Sequence, residues 1–282
     1  MQIKGGKLMK FIQRFLVLIV GLILLPSILV QAQTVVKVGV IGDSNNPIWE
    51  VVQENLGDEI QLELVSFTDG VYTNSALAEG DLDITAFQHN AFLEQEVADK
   101  GYDFAVIADT YISPMNIYSD HTSDISELQE GDIILIPNNV TNRGRALIVL
   151  DRAGLIKVDP EKGHLPEITD IIDNPLNLNI VESDPAIIPQ ALEDVAAGIT
   201  NSDLAMDFGL DPVNDSIFAL EIDPESEDLI PYINIIVART GDKDNEDYQK
   251  VVEAYQQQNV ADFIVEHYGN SIVPVFEVAD QE

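Results

Sequence analysis

Short apolar runs alternate along the chain with stretches whose apolar positions recur every three to four residues. Residues 35–42 (Val-Val-Lys-Val-Gly-Val-Ile-Gly) predict a buried strand ending in glycine, and residues 47–56 an amphipathic helix. Residues 60–67 alternate as a second strand. Thr73-Asn74 opens a helix over 75–79, a third strand covers 82–86, and a helix over 90–100 stops at Gly101 before a strand at 104–107. The middle repeats this rhythm, with a strand at 132–136, a helix at 141–153 closed by Gly154, a strand at 178–181 and a helix at 188–197. A short strand at 218–220, a strongly apolar strand at 232–238 and two helices near 245–257 and 260–268 complete the chain. Such alternation predicts an α/β protein with parallel, doubly wound sheets. No repeat, low-complexity stretch or linker separates the two halves, so the chain is expected to cross between two lobes more than once and to form a cleft.

The N-terminus changes the picture. Residues 1–14 carry Lys4, Lys7, Lys10 and Arg14 and no acid, and residues 15–25 are apolar or glycine throughout. A basic start, an apolar middle and Ala32 before a cut form a secretory signal pattern, so residues 1–32 are expected to be a signal peptide and the protein to work outside the cytoplasmic membrane. Retention of the segment as an anchor is the alternative. The full chain of 282 residues holds 14 Lys+Arg against 49 Asp+Glu, a formal charge of −35. That sign excludes nucleic acid and anionic lipid as partners held by general electrostatics. The absence of cysteine excludes disulfides, thiolate nucleophiles and cysteine-bound metals, and leads to the expectation that the protein is not lipid-anchored through Cys.

Catalytic motifs are missing: there is no Gly-x-Ser-x-Gly, His-Glu-x-x-His, Walker loop or Gly-x-Gly-x-x-Gly. His89, His121, His164 and His267 have no second His or Cys at ligand spacing, so no metal and no cofactor is expected. The acids at 242–247 with Glu253 loosely resemble a calcium loop, but Asp247 stands where glycine is required, and they read as a charged helix start. The informative segment is 137–147 (Pro-Asn-Asn-Val-Thr-Asn-Arg-Gly-Arg-Ala-Leu). A buried strand ends there and a helix begins, with Thr141 as the expected N-cap. Open amides at a helix start attract an anion, and Arg145 one turn in adds a planar donor suited to a carboxylate. Gly144 would let a ligand approach the backbone, and Asn142 offers both donor and acceptor. Phe87 and His89 follow the third strand, where ligand crevices of parallel sheets lie. Asn201 and Asn234 sit in apolar runs, where an amide is either a structural hydrogen-bonder or a ligand for a polar head group.

In this order the motifs resemble the methionine-binding lipoprotein family (NlpA/MetQ type), the substrate-binding proteins of ABC importers. The resemblance runs from Val35 to about Val275. It rests on Phe67-Thr68-Asp69 with Asn74-Ser75-Ala76-Leu77, Gly80 to Asp83, Phe87-Gln88-His89 with Phe92-Leu93, and Pro114 to Ser119. It continues through 126–131, 137–147, Gly154-Leu155-Ile156, Asp173-Asn174-Pro175, Asn201, Gly209 to Pro212 and 232–239. It implies a type II periplasmic-binding-protein-like fold, two α/β lobes with a ligand cleft between them. The implied division is a signal peptide at 1–32, lobe 1 from 33–113 and again from 232–282, and lobe 2 from 114–231. It also implies a non-enzymatic monomer that captures methionine or a related amino acid and passes it to an ABC permease. Arg145, Asn142, Asn201 and Asn234 would hold the carboxylate and amine, and Phe67, Phe87, His89 and Tyr118 would form the side-chain pocket.

Three departures bear on that expectation. The family usually carries a lipid-bearing Cys after the signal, and no Cys is present here. Gly70 and Leu204 stand where the family often has Tyr. The loss of a ring at Gly70 is expected to open the pocket, which admits a larger ligand such as a methionine-containing dipeptide. A surface interaction protein that kept the fold and lost transport, and an acidic extracellular enzyme, are the readings from other classes.

Overall fold

The structure, a computed structural model, describes residues 33–278 except 221, 224 and 225. The expected signal peptide falls outside the described residues. Strands form where apolar positions alternate with polar ones: in β1 (Thr34–Ile41), Val36, Val38 and Val40 are buried while Lys37 is exposed. The chain continues through α1 (Asn46–Leu56), β2 (Ile60–Phe67), α2 (Gly70–Glu79), β3 (Ile84–His89), α3 (Asn90–Lys100), β4 (Phe104–Ile112), β5 (Met115–Tyr118), β6 (Ile133–Pro137) and α4 (Val140–Arg152). A hairpin of β7 (Lys157–Val158) and β8 (Ile171–Asp173) follows, then β9 (Asn179–Ser183), β10 (Ala197–Asn201) and α5 (Ser202–Asp207). The last elements are β11 (Ser216–Phe218), β12 (Ile233–Arg239), α6 (Glu246–Tyr255), α7 (Gln258–Tyr268) and β13 (Val273–Pro274).

These strands build two main sheets. The first has the order β13-β4-β12-β3-β1-β2 and the second β11-β5-β10-β6-β9. The chain passes from the first sheet to the second at Ser113-Pro114, between β4 and β5, and returns between β11 and β12. Neither sheet is purely parallel. β1 runs parallel to β2 and β3, and β6 parallel to β9 and β10, but β12 is antiparallel to β3 and β4, and β5 to β10 and β11. β13 is likewise antiparallel to β4, and β5 and β12, the strands that follow the two crossings, carry the reversal in each sheet. A chain that leaves one sheet for the other comes back from the opposite end, which periodicity alone does not reveal.

Each sheet has its own core. Over the first, Trp49 of α1 packs on Tyr255 of α6 with ring centroids 5.3 Å apart, among Val52, Val251 and Ile264. Over the second, Ile134, Ile136, Leu147, Leu150 and Ile199 are fully buried. Burial of each such side chain favours folding by about 1.5–3 kcal/mol.

Local chemistry moves several boundaries. Asp69, not Thr73, starts α2, its carboxylate accepting the Val71 amide at 2.7 Å. Asn245 caps α6 by accepting the amides of Asp247 and Tyr248, and Asp242 accepts from Arg239, so the acids near 245 serve a helix start. The helix expected over 188–197 is absent: a single 3-10 turn, Pro189–Ala191, is followed by β10. The β-branched pair Ile199-Thr200 and the close approach at Gly198 favour the strand. A Cβ at Gly198 would lie 2.6 Å from Ile188 Cγ2 and 3.0 Å from Leu192 Cδ2, both in buried side chains. Gly198→Ala is therefore expected to cost about 1–3 kcal/mol by overpacking, and to lower the Tm by about 2–10 °C in scanning calorimetry.

Candidate functional site

The carboxyl ends of β3, β6 and β10, the start of α4 and the two crossings converge on a cavity of about 260 Å³. Its polar wall is set by α4. Asn139 caps this helix, its side chain accepting the Asn142 amide at 3.0 Å while its carbonyl accepts Arg143 N–H. Thr141, the expected cap, is buried within the first turn. The cap thus takes one of the roughly four amides a helix start leaves open, and side chains add further donors to this wall. Asn142 and Arg145, three residues apart, share the face of α4 that lines the cavity. Arg143 turns away to Glu182 and Glu167, at 3.2 and 3.5 Å. Gly144 serves packing rather than the ligand, because a Cβ there would lie 2.8 Å from the His164 carbonyl.

Arg145 is 6% exposed. Its Nη2 donates to the Ser113 carbonyl at 2.6 Å, and its Cζ lies 4.6 Å from the centre of the Tyr232 ring. Ser113 belongs to the outward crossing and Tyr232 to the return, so both connections between the sheets brace one guanidinium. Among the described residues no carboxylate pairs with it. Burial lowers its pKa to about 10, with Tyr232 and Asp203 opposing the shift, so it stays charged at neutral pH. A buried charge without a counter-ion is costly and seeks an anion.

His89 is the N-cap of α3 and sits opposite Asn142. Its Nδ1 accepts the Phe92 amide at 3.1 Å, which puts the proton of the neutral ring on Nε2 and makes Nε2 the donor to Asn142 Oδ1, also at 3.1 Å. Asn142 then has both N–H bonds left for a ligand. Burial, with help from Arg145, depresses the His89 pKa to about 4. Asn234 of β12 is in register with His89, and Asn201 ends β10; both line the cavity, and neither side-chain amide has a hydrogen-bond partner among the described residues. The apolar wall is Phe87, Phe92, Val71 and Leu204, with the Phe87 and Phe92 rings edge-to-face at 6.0 Å.

The structure thus gathers Phe87, His89, Asn142, Arg145, Asn201 and Asn234 at one cavity. Two expected pocket residues lie elsewhere. Phe67 ends β2 and packs against the cluster of Leu77, Leu82 and Ile235, because the alternation of β2 turns it to that side of the sheet. Tyr118 lies in β5, 1% exposed, against Leu192 and Ala205. The expectation that Gly70 opens the pocket also fails: a Cβ there would lie 2.6 Å from Phe87 Cε2, so the Phe87 ring fills that space. Ser113, Tyr232, Asp203, Asn45 and Tyr111 belong to the site and were not picked out from the sequence. Only Tyr232 carried a signal, two positions before Asn234 in the same apolar run. Across the mouth, Asp207 accepts the amides of Asp43 and Ser44 at 3.0 and 2.8 Å, which is possible because Gly42, at φ 63°, has no Cβ; one would lie 1.7 Å from Asp207 Oδ2.

Two α/β lobes, crossed twice by the chain and enclosing a cavity with an unpaired guanidinium, define a two-lobed substrate-binding protein. The chain belongs to the NlpA lipoprotein family, whose model matches residues 36–276, a family of substrate-binding proteins rather than of enzymes. It is 40% identical over 229 residues to the D-methionine-binding lipoprotein MetQ of Escherichia coli K12, covering 80% of this chain and 82% of that one. The crystal structure of the methionine binding protein MetQ matches with a TM-score of 0.80 and 38% identity, over 86% of this chain and 98% of the other. A nutrient binding protein from Burkholderia cenocepacia bound to methionine matches with a TM-score of 0.79 and 35% identity, over 86% and 100%. These names correct one expectation. The family and its relatives are lipoproteins, which overturns the reading of a protein without a lipid anchor. That reading rested on the absence of cysteine from the 282 residues.

The neutral His89 has a consequence for stability. Its pKa is lower in the folded protein, about 4 against 6.5, so the unfolded chain binds more protons between those values. His89 therefore costs nothing above pH 6.5 and opposes folding increasingly as the pH falls towards 4, by up to about 3 kcal/mol. The Tm of the wild type relative to His89→Gln is expected to fall between pH 7 and pH 4.5 in parallel melts. A pH-independent difference would mean that His89 titrates normally.

Proposed function

We propose that the protein captures methionine, or a closely related free amino acid, for an ABC importer in the membrane. Arg145 takes the ligand's carboxylate through the donors that Ser113 leaves open, and the freed amide of Asn142 adds to that seat. Asn201 and Asn234 orient the head group. Phe87 and Phe92 pack on the side chain, where a flexible thioether makes favourable sulfur–aromatic contacts. Lobe 1 in this reading comprises 33–113 and 232–282, and lobe 2 comprises 114–231. Binding without catalysis is favoured because the imidazole of the site is neutral with both nitrogens engaged, and so is not free to act as a base.

The observation that carries this reading is the buried, unpaired Arg145 beside an aromatic wall. The names of the relatives, several of which bind methionine, support it. Size supports it as well: about 260 Å³ is below the roughly 300–1,000 Å³ of drug-sized sites, which suits a single amino acid better than a dipeptide. The formal charge of −35 disfavours a net anion at long range and leaves a zwitterion unaffected.

Calorimetric titration of the purified chain with methionine tests the assignment. Arg145→Lys keeps the charge but loses the planar fork, and is expected to weaken binding by about 10-fold or more. Arg145→Ala is expected to weaken it by about 30- to 1,000-fold, the usual range for breaking a desolvated charge pair. Unchanged affinity in Arg145→Ala would remove the carboxylate seat from this residue. Phe87→Ala is expected to lose about 1–3 kcal/mol with methionine and much less with alanine as the ligand.

A further inference from the structure

The site holds a second charged group that the carboxylate seat leaves without a role. Asp203, the second residue of α5, lines the same cavity as Arg145. Its amide donates to Ser113 Oγ at 3.3 Å, while the carbonyl of the same serine accepts from Arg145. One residue thus ties down both a cation and an anion, yet the two do not pair: no nitrogen of Arg145 is within 4.0 Å of a carboxylate oxygen among the described residues.

Tyr111, Ser113 and Asn45 surround Asp203 and ease its charge, yet they leave acceptors unmet. The Tyr111 hydroxyl has one proton and gives it to Asp203 Oδ2 at 3.4 Å. It can then only accept from Asn45 Nδ2, at 2.8 Å, which orients the Asn45 amide and leaves its oxygen unused. Asp203 Oδ1 and Asn45 Oδ1 are both buried with no hydrogen-bond partner in place among the described residues. The neighbouring Asp207 is already occupied by the amides of Asp43 and Ser44. Two buried acceptors without donors are costly in isolation and need a group that only donates. A primary ammonium brings about three N–H donors and one positive charge.

We propose that Asp203, assisted by Asn45, is the counter-ion of the ligand's α-ammonium, so that the cavity selects amino acids with a free amine. This rests on the reading that Arg145 takes the carboxylate of the same ligand. Arg145 and Asp203, joined through Ser113, then address the two charged ends of one zwitterion. N-acylated amino acids and peptides attached through their amine are excluded by the missing charge and by the bulk on nitrogen.

Calorimetry on the full chain with two probes tests this: methionine, and 4-(methylthio)butanoate, which keeps the carboxylate and thioether but lacks the amine. The wild type should bind methionine about 100-fold or more tightly than the des-amino acid. In the near-isosteric Asp203→Asn, methionine should weaken by about 10- to 100-fold, while the des-amino acid stays the same or tightens, since a negative charge has gone. Retained binding of the des-amino acid also shows that the variant has folded with its cavity intact. Equal weakening of both probes, or loss of both, would assign Asp203 to the fold and overturn the proposal. Unchanged methionine affinity would overturn it while leaving the carboxylate seat standing. A wild type that binds no methionine would remove the underlying reading and this proposal together.

Discussion

A single guanidinium ties together the architecture and the chemistry of this protein. Arg145 lies on one lobe, but it is held by a carbonyl from the outward crossing and an aromatic ring from the return. Its position is therefore defined by the two segments through which the chain passes between the sheets. Removing a charged group from water costs several kcal/mol, and among the described residues no carboxylate pairs with it to offset that cost. What keeps Arg145 buried is the packing of α4 on the second core, where Ala146, Leu147 and Leu150 are fully enclosed. The anion seat is in this sense the polar edge of a hydrophobic helix.

The groups around the seat keep their charges from cancelling. Burial drives His89 towards its neutral form and pushes the Asp203 carboxyl up to about 6, with Asp207 adding to the shift and Ser113, Asn45 and Arg145 opposing it. A protonated His89 would face the Phe92 amide donor for donor. Neutrality is thus fixed by the helix cap as much as by desolvation. The lining sets one guanidinium, Arg145, against acids at Asp69, Asp184, Asp203 and Asp207 with neutral amides between them, a layout that matches a dipolar molecule better than an anion.

Much of this was legible in the residues. Helix periodicity and glycine stops placed α1, α3, α4, α6 and α7 within a few positions, and the strand-to-helix junction before Arg145 identified the seat. What escaped was information that depends on tertiary crossings. Ser113 carries no motif and matters only because its carbonyl ends up beside Arg145. Phe67 looked like a pocket residue, but strand alternation decides its side, and a one-residue difference in phase sends it to the core. Gly70 read as vacant space because the sequence does not show that a neighbouring ring will occupy it. The run at 188–197 was misread because a short apolar segment fits a buried strand as well as a helix.

The left-handed Gly42 beneath the Asp207 carboxylate sets how far the two lips can approach. Because that contact is set by a backbone turn at the rim, a substitution at Gly42 would act on the approach of the lips while leaving Arg145 and Asn142 untouched. Evolution or an engineer could lengthen or shorten the stay of a captured molecule from the rim, with the chemistry of recognition in the interior left as it is.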